Sequence, residues 1–229
     1  MAPAAISLPM IRSAEDLEAR VLALGFLPFF ECGIRGFSIE ACTPPELWFS
    51  ETQDGPWEWK GPVARGGRCA YGKFFERKAG FVSLEWLPDF LNLRRDGYDF
   101  DTHWEEQLAS WKDRQVYERI VQLGAVETGA LKSGLNYRKG GATGFDTVIT
   151  RLQMQGYVVI GDFVYKRDKL LRPYGWGVAE YTTPERLFGR DLCASAYERD
   201  PAESRARILS HLRGMLPKAD ETAIARLVG

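Results

Sequence analysis

Between Asp113 and Tyr181 the hydrophobic period of the chain passes from helical to alternating, in an order that few folds accommodate. Val116, Tyr117, Ile120, Val121 and Leu123 recur at helical spacing, and Gly124 supplies the residue that can close such a helix in a left-handed conformation. Thr128 predicts the start of a second short helix, with Leu131 and Leu135 inward and Lys132 outward, before the glycine-rich run from Gly134 to Gly141 breaks it. In a third segment Phe145, Val148, Ile149 and Leu152 fall at i, i+3, i+4 and i+7. That pattern leaves Asp146, Thr147, Thr150, Arg151, Gln153 and Gln155 on other faces. After Gly156 a β run begins at Tyr157, Val159 and Phe163, and Trp176 to Tyr181 supplies its partner across a basic loop from Lys166 to Arg172. Helices followed by a strand pair with a basic loop predict a winged helix-turn-helix. In that fold the third helix enters the major groove of duplex DNA and the loop, the wing, grips phosphates.

The charge distribution agrees with such a partner. The 229-residue chain carries a net charge of −1, so it is no uniformly basic coat protein. From Leu131 to Arg172, however, eight Lys or Arg stand against three Asp or Glu, whereas Ser13 to Lys60 holds nine acidic and three basic residues. The expected DNA contacts are Lys132, Arg138, Lys139, Thr147, Thr150, Arg151, Lys166, Arg167, Lys169 and Arg172. The alternative is that these residues form ordinary solvated faces.

Other chemistries lack their signatures. Cys32, Cys42, Cys69 and Cys193 show no C-x-x-C spacing, and His103 and His211 are the only histidines, so neither a metal nor another cofactor is expected. No signal-peptide pattern and no apolar run of about 18 residues is present, which predicts a cytoplasmic protein with reduced thiols and no membrane partner. Two disulfides are the alternative for an even number of cysteines. The oligomeric state stays open.

The predicted fold class is α+β, and three regions are expected: an N-terminal α+β part over residues 1–100, the winged module over 101–190 and C-terminal cover helices over 191–229. Whether the first part is a second, degenerate winged helix stays open, and no internal repeat is visible. Ser13 predicts a helix through Leu17, Val21 and Leu24 ending at Gly25. Cys42 to Gly67, rich in Pro, Gly and Trp, reads as irregular. A hairpin around Glu76, Arg77 and Lys78 follows, then a helix that Ser83 can cap past Trp86, Phe90 and Leu93. Thr102 with Glu105 predicts a capping box for a helix striped by Trp104, Leu108 and Trp111. After the wing, Thr183 and Pro184 open a short helix, Asp200 and Pro201 a longer one ended by Gly214, and Ile224 and Leu227 mark the last. These helices are expected to cover the core, a dimer face being the alternative.

Several runs, among them Cys42 to Trp48, Gly55 to Lys60, Cys69 to Phe75, Arg94 to Asp99 and Tyr174 to Gly177, resemble the AlkZ-related family of bacterial proteins over about Phe26 to Gly189. The resemblance implies kinship with the AlkZ-type DNA glycosylases. Those enzymes are built from tandem winged helices and excise alkylated bases through a Gln-x-Gln motif without a metal. Gln153-Met154-Gln155 has those letters, which makes Gln153 and Gln155 candidates for positioning a water; alternatively they face solvent or phosphate, or bond an adenine edge. A second candidate site pairs Glu51 and Asp54, as general base, with Trp48, Trp57 and Trp59, which would stack on an extruded base; the alternative is a surface loop whose indoles are buried for packing. Three functions therefore compete: a double-stranded DNA-binding protein related to DNA repair, a DNA glycosylase for alkylated bases, and a noncatalytic protein-interaction module.

Overall fold

The computed structural model describes residues 8–50, 52–170 and 173–229, without the side chains of Arg167, Pro173, Tyr174 and Trp176. Its elements build two units in the same order. In the first, α1 (Ala14–Leu24) leads into β1 (Phe26–Pro28), followed by α2 (Ile39–Cys42), α3 (Pro56–Arg65) and the hairpin of β2 (Cys69–Phe75) and β3 (Lys78–Ser83). After the connecting helices α4 (Leu87–Arg95) and α5 (Phe100–Glu105), the second unit runs α6 (Trp111–Leu123), β4 (Val126–Glu127), α7 (Thr128–Gly134), α8 (Phe145–Met154), β5 (Val159–Arg167) and β6 (Pro173–Thr182). Each unit has an antiparallel three-stranded sheet with its last strand in the middle, β1-β3-β2 and β4-β6-β5.

The same local devices appear in both units although the sequence shows no repeat. Ser13 and Ser110 cap α1 and α6, and Gly25 (φ 79°) and Gly124 (φ 80°) end them in a backbone conformation that favours glycine. A Cβ at either position would also collide, with Trp86 at 2.5 Å or with Arg186 at 2.4 Å. Each of these glycine carbonyls is then bound by the end of its own sheet's central strand, Ser83 N at 2.8 Å and Thr182 Oγ1 at 2.6 Å. Backbone turns repeat; the side chains that fill the cores do not.

The two units meet reciprocally. Strands β2 and β5, each the last in its sheet's order, face one another, with Tyr71 and Phe163 edge to face at 5.7 Å. Across that seam α3 of the first unit packs on β5 of the second, and α8 of the second packs on β2 of the first. The arrangement covers edges that would otherwise offer unpaired main-chain groups.

Four further helices close the molecule: α9 (Pro184–Phe188), α10 (Arg190–Ala194), α11 (Pro201–Met215) and α12 (Glu221–Val228). They bury Ile208, Leu212, Ile224 and Leu227 in the common core. Helix α11 is tied to α4 through buried Asp89, whose carboxylate accepts from Ser204 Oγ (2.8 Å), Arg199 Nη1 (2.9 Å) and Arg207 Nε (3.1 Å). His211 stacks on Trp86 with ring centres 4.3 Å apart.

Several expectations need correction. The stretch read as irregular contains α3, at whose start Glu58 Oε2 accepts from Gly55 N at 2.9 Å, and which carries Pro62 within it. Its buried stripe of Trp59, Lys60, Val63 and Ala64 was obscured by the proline and by a lysine on the inner face. Thr102 and Glu105 form no capping box: Asp99 caps α5, and the Trp104–Trp111 stripe is divided between α5 and α6. Ser83 ends β3 and α4 starts only at Leu87, with Pro88 in its first turn, where a missing N–H costs nothing. Helix α7 starts at Thr128 as expected, with Glu127 rather than Thr128 at the N-cap position, and Gly214 lies inside α11 instead of ending it.

Candidate nucleic-acid interface

Helix α8 decides how much of the expected binding surface is available. Its apolar positions Phe145, Val148, Ile149 and Leu152 are buried as periodicity predicts, but so are Thr150 (5% exposed) and Gln153 (0%), two residues expected on the reading face. The cause is the seam. Gln153 Oε1 accepts from Lys73 N at 3.1 Å, its Nε2 donates to Ile149 O at 3.0 Å, and Lys73 Nζ donates to Thr150 Oγ1 at 3.2 Å. As folded, neither Thr150 nor Gln153 can meet a phosphate, a base edge or a catalytic water, which corrects both expectations. Arg151 is half-exposed but clamps α8 to the start of α6: Nε and Nη2 donate to Asp113 Oδ1 at 3.0 and 2.6 Å. Only Asp146 and Thr147, in the first turn, are fully open to solvent.

Gln155 has a different setting. Half-buried, it places Nε2 at 3.3 Å from His103 Nε2, and His103 is 8% exposed with Nδ1 unpartnered. Burial lowers the His103 pKa below its usual value of 6.5, while nearby Asp113 opposes the shift. An imidazole held neutral in the folded state stabilises above the unfolded pKa; that contribution is lost as pH falls through about 6.5, where the unfolded chain takes up a proton first. The melting temperature should therefore drop on going from pH 7.5 to pH 5.5, and His103→Gln should drop less over the same interval. Equal losses would show that His103 does not carry the effect.

Elsewhere the cations are open. Among the described residues Lys139, Lys166 and Lys169 are exposed and form no ion pair, and exposed Arg138 donates only to Asn136 Oδ1, at 2.9 Å. Lys132 pairs with Asp146 at 3.2 Å and sits 4.9 Å from the centre of the Phe145 ring. The Arg167 side chain and the whole of Arg172 and Glu51 lie outside the described residues.

The tryptophans expected to stack on a base are mostly packed on one another. Trp59 is 4% exposed, and half-buried Trp48 and Trp57 lie 5.7 Å apart, edge to face, with Trp48 and Trp57 at 5.8 and 5.3 Å from Phe29. Asp54 is exposed and, with Gln53, Glu58 and Trp59, borders a 730 Å³ surface cavity that also includes Arg12. Two features escaped the sequence reading. Lys60 is buried between the Trp57 and Phe163 rings, at 4.8 and 4.4 Å, and burial lowers its pKa. A second cavity forms around buried Arg95. No thiol is activated among the described cysteines: burial raises Cys32 to about 11 and Cys69 and Cys193 to about 12, and all four cysteines are unpaired. Among the described residues no cluster of three His, Cys, Asp or Glu could hold a metal ion, and no helix is long and apolar enough to cross a membrane.

A family model described as AlkZ related matches residues 11–229, nearly the whole chain. The chain belongs to the AlkZ-related family. Membership carries a DNA-repair-like theme and extends beyond the segment from Phe26 to Gly189 on which the motifs lie, taking in α1 and the C-terminal helices α10–α12. Comparison with curated proteins gave no match, and comparison with solved structures gave none.

Proposed function

We propose that this protein is a tandem winged-helix protein that binds double-stranded DNA in the service of DNA repair, gripping phosphates with its second wing and with the α7–α8 loop. The observation that carries this reading is the second unit. Its helix–strand–helix–helix–strand–strand order and β4-β6-β5 sheet support reading it as a winged helix, and exposed Lys166 and Lys169, unpaired among the described residues, at the proposed wing, with Arg138 and Lys139 before α8, supply the cations. The first unit has the same order, which supports reading it as a second winged helix. With α8 committed to the seam, phosphate contacts dominate and base readout is confined to what the wing or Thr147 can reach. The test is fluorescence anisotropy of a labelled mixed-sequence duplex. About four phosphate contacts predict an affinity loss of about a hundredfold between about 50 and about 200 mM salt. Absent or salt-indifferent binding would refute the proposal.

Base excision is the second reading, and family membership favours it. Asp54 is then the carboxylate to examine, because it stands exposed at the rim of the 730 Å³ cavity while Gln153 is enclosed. Incubation with alkylated duplex should yield abasic sites, lost in Asp54→Ala; no release from the wild-type protein rejects this reading.

A further inference from the structure

The motif from Arg94 to Asp99 has no part in the DNA-binding reading, yet it forms one wall of a cavity of 640 Å³ between α4, α5, α6 and α10. That volume is typical of small-molecule sites. Arg95 at its base is 4% exposed: Nη1 donates to Glu185 Oε1 at 2.6 Å and to the Tyr197 hydroxyl at 2.5 Å, and Nη2 donates to Gly156 O at 2.7 Å. Only Nε is buried without a partner. Four aromatic rings line the space. Phe100 and Tyr117 stack with centres 3.9 Å apart, Tyr157 meets Phe100 edge to face at 5.1 Å, and Tyr197 stands beside Arg95. Burial pushes the Tyr117 hydroxyl up to about 12, so it stays neutral.

The charge of the cavity selects among ligands. Glu185 is spent on Arg95, and Glu118 is paired with Arg114 at 2.6 Å. Asp99 and Asp101 remain, both exposed, against the single exposed cation Arg190. Asp99 Oδ1 accepts from Thr102 N at 2.8 Å, which holds its carboxyl below the usual range and keeps it ionised. Carboxylates at the rim of an aromatic pocket attract a positive charge carried on a flat, partly apolar body, because ring faces and carboxylates both favour cations while the walls desolvate the rest.

We infer that this cavity is a binding site for a small planar organic cation. The positive ring answers Asp101 and Asp99 at the rim and the half-buried Tyr117 and Tyr197 rings. The site stands apart from the wing and the α7–α8 loop, so the inference does not rest on DNA binding.

The probes are 1-methylnicotinamide, a pyridinium with a carboxamide oxygen, and nicotinamide, its neutral counterpart of nearly the same shape. Each is titrated into the full chain without nucleic acid and followed by ¹H–¹⁵N chemical shifts. The expected result is saturable binding of the cation about five- to thirty-fold tighter than of the neutral probe, with shifts at Asp99 to Asp101, Tyr117 and Tyr197. Asp101→Asn should weaken the cation alone, and Arg190→Gln should strengthen it. Equal affinities for the two probes, no saturation of the cation, or shifts centred on other residues would overturn the inference. Retained peak dispersion in each variant shows that the fold is intact, and the salt-dependent DNA titration stands or falls separately.

Discussion

Replacing Gln153 with leucine should lower the melting temperature by roughly 3–10 °C while leaving duplex affinity unchanged at temperatures where the variant is folded. The side chain is 0% exposed, and its amide oxygen is the acceptor for Lys73 N at the seam. That N–H lies in β2 where pairing with β3 shifts register, between Gly72 and Phe75, so the amide of a distant helix stands in for a strand partner. Leucine fills a similar volume but accepts nothing, and leaving a buried donor unmade costs about 1–3 kcal/mol. At this chain length each kcal/mol moves the midpoint by about 2–4 °C. Gln155→Leu is the control, since that side chain is half-buried and its one hydrogen bond among the described residues is to His103. Differential scanning calorimetry on the three proteins checks the ranking. An unchanged midpoint for Gln153→Leu, coupled with loss of base excision, would return Gln153 to the role that the Gln-x-Gln letters suggested.

What the sequence disclosed and what it withheld follow from the range of the interactions. Gly124, the Phe145–Leu152 spacing and the alternation on either side of the β5–β6 loop are local signals, and the second unit formed where they pointed. The first unit was harder to read because its third helix contains Pro62 and buries Lys60, which breaks the apolar stripe that betrays a helix. The shared topology left no repeat in the sequence, since only turn glycines and caps recur, while Trp86 fills the space beside Gly25 and Arg186 the space beside Gly124. The seam was invisible for a different reason. Gln153 and Lys73 are 80 positions apart, and a polar residue on an amphipathic helix reads as solvent-facing until a second body is placed against it. The Arg95 cavity likewise joins α4 to residues of α6, α9 and α10, and no spacing along the chain announces that.

Neutralising Arg138, Lys139, Lys166 and Lys169 together with glutamine should reduce affinity for a mixed duplex by two orders of magnitude or more at about 100 mM salt, and flatten the dependence of log affinity on log salt by about three to four units. Each lost phosphate contact removes about 0.9 of that slope on duplex DNA, because one condensed counterion fewer is released. All four side chains are exposed, and none belongs to an ion pair among the described residues, so their replacement costs the fold little. The comparison that gives the experiment its force is Thr147→Ala, made at the open end of α8. If the wing and loop carry the affinity, that substitution leaves the slope unchanged and alters binding by less than about tenfold, as expected for one neutral contact. If the quadruple variant keeps the wild-type slope, the phosphates are held elsewhere. If Thr147→Ala instead removes most of the affinity, α8 must leave β2 to reach DNA, and the seam becomes a moving part; Gln153→Leu, which weakens that seam, would then raise affinity rather than leave it unchanged. The two substitutions at opposite ends of α8 thus separate a helix that reads DNA from a helix that holds the two units together.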